Sequence, residues 1–237
     1  MEPILVILLV IMVIGVLTLR AYYAHQREEA RSMTIKAIAT THGWSFDAIS
    51  ANNYRSTYQN FDYFSKGHSQ ECENTVEGAI EIHGFPHHLK MGDYLYKETD
   101  SDEDGTSTTT YRFSYLCLHL PYLHVPDLFI RRETMTDKLG AAVGFDDINF
   151  ESADFSRTFH VSASDKRFAY DVITPTMMEF LLRAPDVGVE LRSGILCFVS
   201  DMRRWKAEEF MPRVNWASHF IGLWPEHVIQ SYTGTRI

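Results

Sequence analysis

VEGAIEIHGFPHHLKMGDYLY, residues 76–96, decides the fold class, because here the apolar period changes from helical to two. Val76, Ile80 and Ile82, and less cleanly Ala79, read as one strand, which Gly84 breaks. Leu89, Met91, Tyr94 and Tyr96 mark a second strand region. Downstream, Tyr111, Phe113, Tyr115, Cys117 and His119 alternate with Arg112, Ser114, Leu116 and Leu118, a third strand. Pro121 and Pro126 bracket a turn, and residues 128–131 form a fourth strand. Consecutive strands with short turn signals predict an antiparallel meander.

The second half mixes helix and strand. Residues 135–143 read as a short helix ended by Gly144, residues 159–164 as a strand, and Ser164 as the cap of a helix starting at Asp165. Thr174-Pro175 opens another helix, with Met178, Leu181 and Leu182 on its apolar face and Pro185 as its stop. Residues 189–192 and 195–200 are strands joined at Ser193-Gly194. Residues 205–223 read as helical with a break at Pro212. The expected class is α+β: a transmembrane helix, then a soluble domain of antiparallel strands with packed helices. Residues 45–68 carry no pattern beyond one short element.

The N-terminus differs in kind. PILVILLVIMVIGVLTL, residues 3–19, has no charged side chain and as a helix spans roughly 25 Å, close to a ~30 Å hydrocarbon core. Ala21, Tyr22 and Tyr23 extend it with interface-type residues. No basic residue precedes the apolar run and no A-x-A site follows it, so a retained anchor is expected rather than a cleaved leader. Arg20, Arg27 and Arg31 follow the anchor, which by the positive-inside rule places the remainder in the cytoplasm. The helix should continue to His42 and stop at Gly43, with Ala30, Met33, Ala37, Ile38 and Thr41 at helical spacing, lifting the domain off the membrane by several turns. The organisation is thus residues 3–23 as anchor, 24–43 as juxtamembrane helix and 44–237 as the soluble domain.

The net charge of −9 argues against a nucleic-acid partner. Three cysteines, Cys72, Cys117 and Cys197, lack C-x-x-C spacing and suggest no disulfide framework. In HGFPHH a turn at residues 84–86 lets His83 and His87 approach while His88 points to the opposite face. Two ligands are too few for zinc, which needs three or four, and neither His68 nor Cys72 supplies a standard spacing. In DSDEDG, Asp100, Asp102 and Asp104 match calcium-loop positions and Gly105 follows, but Tyr111 stands where the bidentate Glu belongs. A polar hairpin tip over residues 99–109 is expected, and no cofactor. GFDDINFESADF gathers Asp146, Asp147, Glu151 and Asp154, carboxylates capable of acid–base work only where their environments differ. Arg203, Arg204 and Lys206 read as a solvated basic patch. The serine-hydrolase, phosphate-loop, dinucleotide and zinc-protease signatures do not occur.

The order of anchor, HGW, GDYLY, a threonine-rich strand, a P-x-L turn, GFDDINFES, F-S-R-x-F-x-V and D-x-R-F-A resembles a group of bacterial single-pass membrane proteins of unassigned function, over most of residues 40–200. The resemblance implies a bacterial inner-membrane setting and assigns no catalytic residue.

The expectation is a single-pass protein whose cytoplasmic α+β domain binds a protein partner, leaning away from an enzyme. The alternatives are a membrane-tethered hydrolase using the Asp146–Asp154 carboxylates or the His83/His87 hairpin, with or without a divalent metal, and a lipid-sensing module built on the juxtamembrane helix.

Overall fold

The computed structural model describes residues 3–50, 58, 60–102, 105–122, 124–133, 147–184, 187–200 and 202–233. Helix α1 (Pro3–Thr41) is continuous for 39 residues, about 58 Å at 1.5 Å per residue. Among the described residues it is the helix long and apolar enough to cross a membrane, and its side chains are exposed along residues 6–30. It ends as the sequence requires. Gly43 adopts φ +69°, the Gly43 N–H donates to the Thr40 carbonyl and the Trp44 N–H to the Ala39 carbonyl, so a Schellman motif satisfies the last turn.

An eight-stranded sheet follows, in the order β1-β2-β3-β4-β8-β7-β5-β6, and every pairing is antiparallel. The strands are β1 (Ser45–Ser50), β2 (His68–Ile82), β3 (Phe85–Asp102), β4 (Gly105–His119), β5 (Leu128–Arg132), β6 (Phe159–Ala163), β7 (Val187–Arg192) and β8 (Ile195–Ser200). The helices are α2 (Ala153–Thr158), α3 (Lys166–Val172), α4 (Pro175–Leu182), α5 (Phe210–Gly222), preceded by a 3₁₀ turn at Ala207–Glu209, and α6 (Glu226–Tyr232). The α+β class is as the sequence indicates.

Both faces of the sheet are covered except at the far end of the β3–β4 hairpin. One face packs Leu89, Met91, Leu116 and Leu118 under Ile35 and Ala39 of α1 and under helices α3 to α6. The other carries Cys72, Tyr94, Tyr96, Phe113, Tyr115, Cys117 and Cys197 against Tyr58, Phe61, Tyr63 and Phe64. Alternation in β4 therefore separates two apolar sets, aromatic and cysteine on one side, leucine on the other. Gly78 is required by packing: a Cβ there would come within 2.0 Å of the Trp44 ring, whose N–H donates to the Ala79 carbonyl.

Several local expectations change. The polar stretch of residues 99–109 is largely ladder: Thr99 pairs with Thr108, Asp100 with Ser107 and Asp102 with Gly105. Threonine is β-branched and enriched in strands. The helix after Ser164 is capped by Asp165, whose carboxylate accepts from the Arg167 and Phe168 N–H groups, while Ser164 Oγ accepts from Asp127 N–H. Pro212 does not break its helix. It lies in the first turn of α5, where no intrahelical donor is missed. The helix expected at 135–143 lies outside the described residues. Thr174 caps α4 as expected, and Ser193-Gly194, with both φ positive, turns β7 into β8.

The juxtamembrane stretch also differs. Its buried residues are Ile35 and Ala39, with Arg31 and Ile38 partly covered, whereas Met33 points outward. Contact begins at Glu28, which pairs with Arg204 at 2.6 Å, and only roughly 8 Å of helix separates Glu28 from Tyr23. One turn on, Arg31 makes a bidentate pair with Asp93, Nη1 to Oδ2 at 2.6 Å and Nη2 to Oδ1 at 2.9 Å. Its Nε donates to the Trp205 carbonyl at 2.9 Å. Asp93 also accepts from Arg204, Asn74 and Ser114. Burial alone would raise the Asp93 pKa, but the hydrogen bonds and charge of Arg31, then the charge of Arg204, hold it below the usual carboxylate range.

Asp93→Asn leaves two largely buried guanidinium groups without their shared anion, and should cost about 3 kcal/mol. The check is urea unfolding of the full chain in detergent. A loss under about 1 kcal/mol would mean the network is not structural. The wild-type share of this stability is present above the unfolded carboxylate pKa and lost as pH falls through the depressed value.

Candidate functional site

The histidines of HGFPHH take different settings around the turn. Ile82 pairs with Phe85, so the loop is His83-Gly84 alone, both with positive φ, rather than residues 84–86. His83, in the turn, bonds through Nε2 to the Ile221 carbonyl at 3.1 Å. His87 is fully buried on the helix-covered face, and its Nδ1 donates to the Phe85 carbonyl at 3.0 Å. His88 takes the opposite face, edge-on to His119 at 5.2 Å. His119 in turn bonds Tyr58 OH at 2.9 Å.

The candidate calcium loop is opened out by the ladder. Asp100 and Asp102 lie in β3, an extended strand that does not wrap an ion, and Asp104 is outside the described residues. Among the described residues no cluster of three metal-ligating side chains occurs.

The acidic stretch disperses as well. Asp146 is outside the described residues. Asp147 bridges to Ser162 through backbone and pairs with His160, Nδ1 to Oδ1 at 3.2 Å. Asp154 is in the first turn of α2, in an exposed pair with Arg157 at 3.7 Å. Glu151 stands at the rim of an open groove of about 810 Å³ between residues 149–152 and helices α3 and α4. Its floor is Phe150, Ile173, Met178 and Leu182, and its rim carries Glu151, Glu179 and Tyr170. Phe150 is fixed edge-to-face against Phe155 at 5.4 Å, and Tyr170 OH donates to the Asn149 carbonyl at 3.2 Å. An apolar floor with a few polar rim groups is the usual make-up of a ligand cleft.

Sequence reasoning missed a second buried ionic cluster. Arg131 binds Glu190 and Asp62, the latter at 2.6 Å. Arg192 reaches Asp62 at 2.9 Å, and the Asp62 N–H donates to Glu190 at 3.0 Å. Glu190 is fully buried. Burial pushes its carboxyl up to about 7, Arg131 opposes this, and Asp62 adds to it. The cluster ties residues 60–64 onto the aromatic face. The available sequence signal was charge inside otherwise apolar strands, in LFIRR and VGVELR.

No family model and no curated relative matches the chain. A solved structure, the mycobacterial trehalose monomycolate transport factor A (TtfA), is similar in fold, with a TM-score of 0.53 at 12% identity over 82% of this chain and 96% of that chain. At that identity the likeness is one of fold.

Burial lowers the His87 pKa; the bond to Phe85 works against this and the neighbouring His83 adds to it. Stability should therefore be full above the unfolded histidine value of about 6.5 and decline as pH falls toward the lowered folded value. His119, shifted the same way by burial and His88, adds to the decline. Between pH 7.5 and 5.5 the urea midpoint of the wild type should fall further than that of His87→Gln. Equal falls would show that His87 does not titrate in this window. Because His87 is buried, removing both His83 and His87 side chains should cost more than a surface change, roughly 2 kcal/mol.

Proposed function

We propose that this chain is a membrane-anchored binding module, held by α1 and presenting its α+β domain to a protein partner at the membrane surface. The observation that carries the reading is the clamp between α1 and the sheet. Glu28 and Arg31 fix the domain to the anchor through Arg204 and Asp93, so the domain has a set orientation close to the bilayer. A rigidly oriented domain suits docking to another component of the same membrane. The open groove beside Glu151 and Glu179 supplies area for a partner. The similarity in fold to a protein described as a transport factor is in keeping with such a role.

The setting we infer is a bacterial inner membrane crossed once, with the domain cytoplasmic. Arg20 and Arg27 flank the apolar run on the domain side. An export-dependent reporter fused after residue 237 should be inactive, and its activity would reverse the orientation.

The partner reading is tested by extracting the full chain from its own membranes into lipid nanodiscs and weighing the intact particle. A defined mass beyond the chain and its lipids, reproducible between preparations, is expected. Particles containing this chain alone at every density would overturn the reading. A second reading, a membrane-tethered hydrolase, has the Asp147–His160 pair in its favour. It requires that the purified chain cleave a simple ester and that Asp147→Asn abolish the cleavage.

A further inference from the structure

β4 is paired along its whole length with β3 but with β8 only over residues 115–119. Among the described residues, nothing pairs with residues 106–112 on the β8 side. The Ser114 N–H, on that side, donates to the Arg203 carbonyl at 3.0 Å. The β3–β4 register runs without a shift from His88–His119 to Asp102–Gly105. Because strand groups alternate, the parity set by Ser114 carries down the strand. The N–H and C=O groups of Thr106, Thr108, Thr110 and Arg112 therefore point out of the sheet edge. The odd-numbered residues bond inward to β3.

Natural edge strands are guarded by charged side chains, lysine above all, by proline, by bulges or by a covering element. This one reads GTSTTTYR from Gly105 to Arg112, with Arg112 at its end as its one charge and without proline or bulge, and these residues are exposed. Threonine and tyrosine favour strand pairing. Arg112 makes no ion pair among the described residues. We infer that this edge is a strand-addition site for an extended segment of another protein that reaches the same membrane surface.

The placement comes from the contact register of α1 on β2. Trp44, after the end of α1, meets Ala79, while Arg31 meets Asp93 beside Asn74. Moving along α1 toward its apolar end is thus moving from Ala79 to Asn74 on β2, and onward toward the far end of the β3–β4 hairpin. Past Asp93, β3 continues for roughly 30 Å, whereas Arg31 is only about 17 Å along the helix from Arg20. The hairpin end therefore lies on the anchor side of the domain, reaching at least as far along α1 as Arg20. Its threonines, serines, Glu98 and Asp100 do not enter hydrocarbon, where polar side chains and open backbone groups lack partners. Its open edge meets the extramembrane segment of a neighbour.

A second copy paired antiparallel does not fit. Antiparallel pairing of two identical edges uses a two-fold axis perpendicular to the strands, which run alongside α1. That axis would point the two anchors in opposite directions, whereas copies in one bilayer point the same way. The fitting partner is an extended segment of six or so residues, β-branched or hydroxylic, with a carboxylate opposite Arg112.

This inference rests on the binding reading above, and parity provides its test. Thr110→Pro removes an outward N–H and keeps the β3 ladder; Thr109→Pro removes an inward one. In the full chain, hydrogen exchange of residues 105–113 is followed in native membranes and in nanodiscs of purified protein. Amides of the even residues should exchange at least tenfold more slowly in native membranes. Thr110→Pro should abolish that protection on Thr106, Thr108 and Arg112 at an unchanged melting temperature, and Thr109→Pro should lower the melting temperature. Equal exchange in the two settings, or protection surviving Thr110→Pro, overturns the edge site. Protection that grows with surface density of the purified chain assigns the edge to a second copy and also overturns it. If the native particle keeps its extra mass in Thr110→Pro, the edge inference fails while the binding reading stands.

Discussion

The arrangement of the molecule depends on one carboxylate. Asp93 is buried in the middle strands and receives donors from α1, β2, β4 and the segment after β8 at once. Such convergence needs backbone irregularity. β2 shifts register between Glu73 and Val76, and Asn74 takes φ +51°, which swings its side chain to Asp93. Gly92 permits the approach, since a Cβ there would come within 3.0 Å of the Glu73 carbonyl. Four segments distant in sequence are thereby fixed to one point. A carboxylate can accept about four hydrogen bonds, so the site is saturated and the charge is compensated where it is buried. Arg204 extends the link to Glu28, and Ser114 accepts from the Trp205 N–H.

The second cluster does for the aromatic face what Asp93 does for the helical one. Residues 60–64 carry Phe61, Tyr63 and Phe64 as apolar contacts, but aromatic packing by itself fixes position loosely. Arg131, Arg192 and the Asp62 main chain and side chain supply direction, and the Arg131 guanidinium lies 5.7 Å from the Tyr63 ring centroid. With both faces closed, an antiparallel sheet here has interior on two sides, an arrangement more usual for parallel sheets.

That two-sidedness explains what could be read in advance. The strand at 111–119 was legible because aromatic and aliphatic residues alternate, and the turn at Ser193-Gly194 because it carries glycine; the break at Gly84 was legible too, but the turn there lies one residue earlier than expected. The extension of β3 and β4 past residues 98 and 110 was not, because threonine and acidic residues signal a loop when burial is the criterion, although the main chain pairs throughout. Arg203 and Arg204 looked like a solvated patch since sequence does not reveal that Glu209, Glu28 and Asp93 gather about them. The same ignorance hid the clamp: Arg31 counted toward membrane orientation, while its role in packing depends on a residue 62 positions away. Asp147 and Glu151 were legible as acidic and exposed, but their separation into a histidine pair and a groove rim depends on how α2 starts at its Ser152 cap.

Why an ionic clamp should join anchor to domain follows from the shape of the alternatives. Ile35 and Ala39 already bury the helix against the sheet, and a fully buried isoleucine contributes about 1.5–3 kcal/mol. Apolar contact alone tolerates a helix that slides by a turn or rotates between its i+3 and i+4 rows, because the ridges interdigitate at several registers. A bidentate arginine–carboxylate pair does not, since both N–H···O bonds fail together when the guanidinium turns or shifts. Its desolvation cost limits what it adds to stability, so its contribution lies in selecting a single register. Glu28 with Arg31 therefore selects one register and one rotation of α1 on the sheet, a few residues past the end of the apolar run.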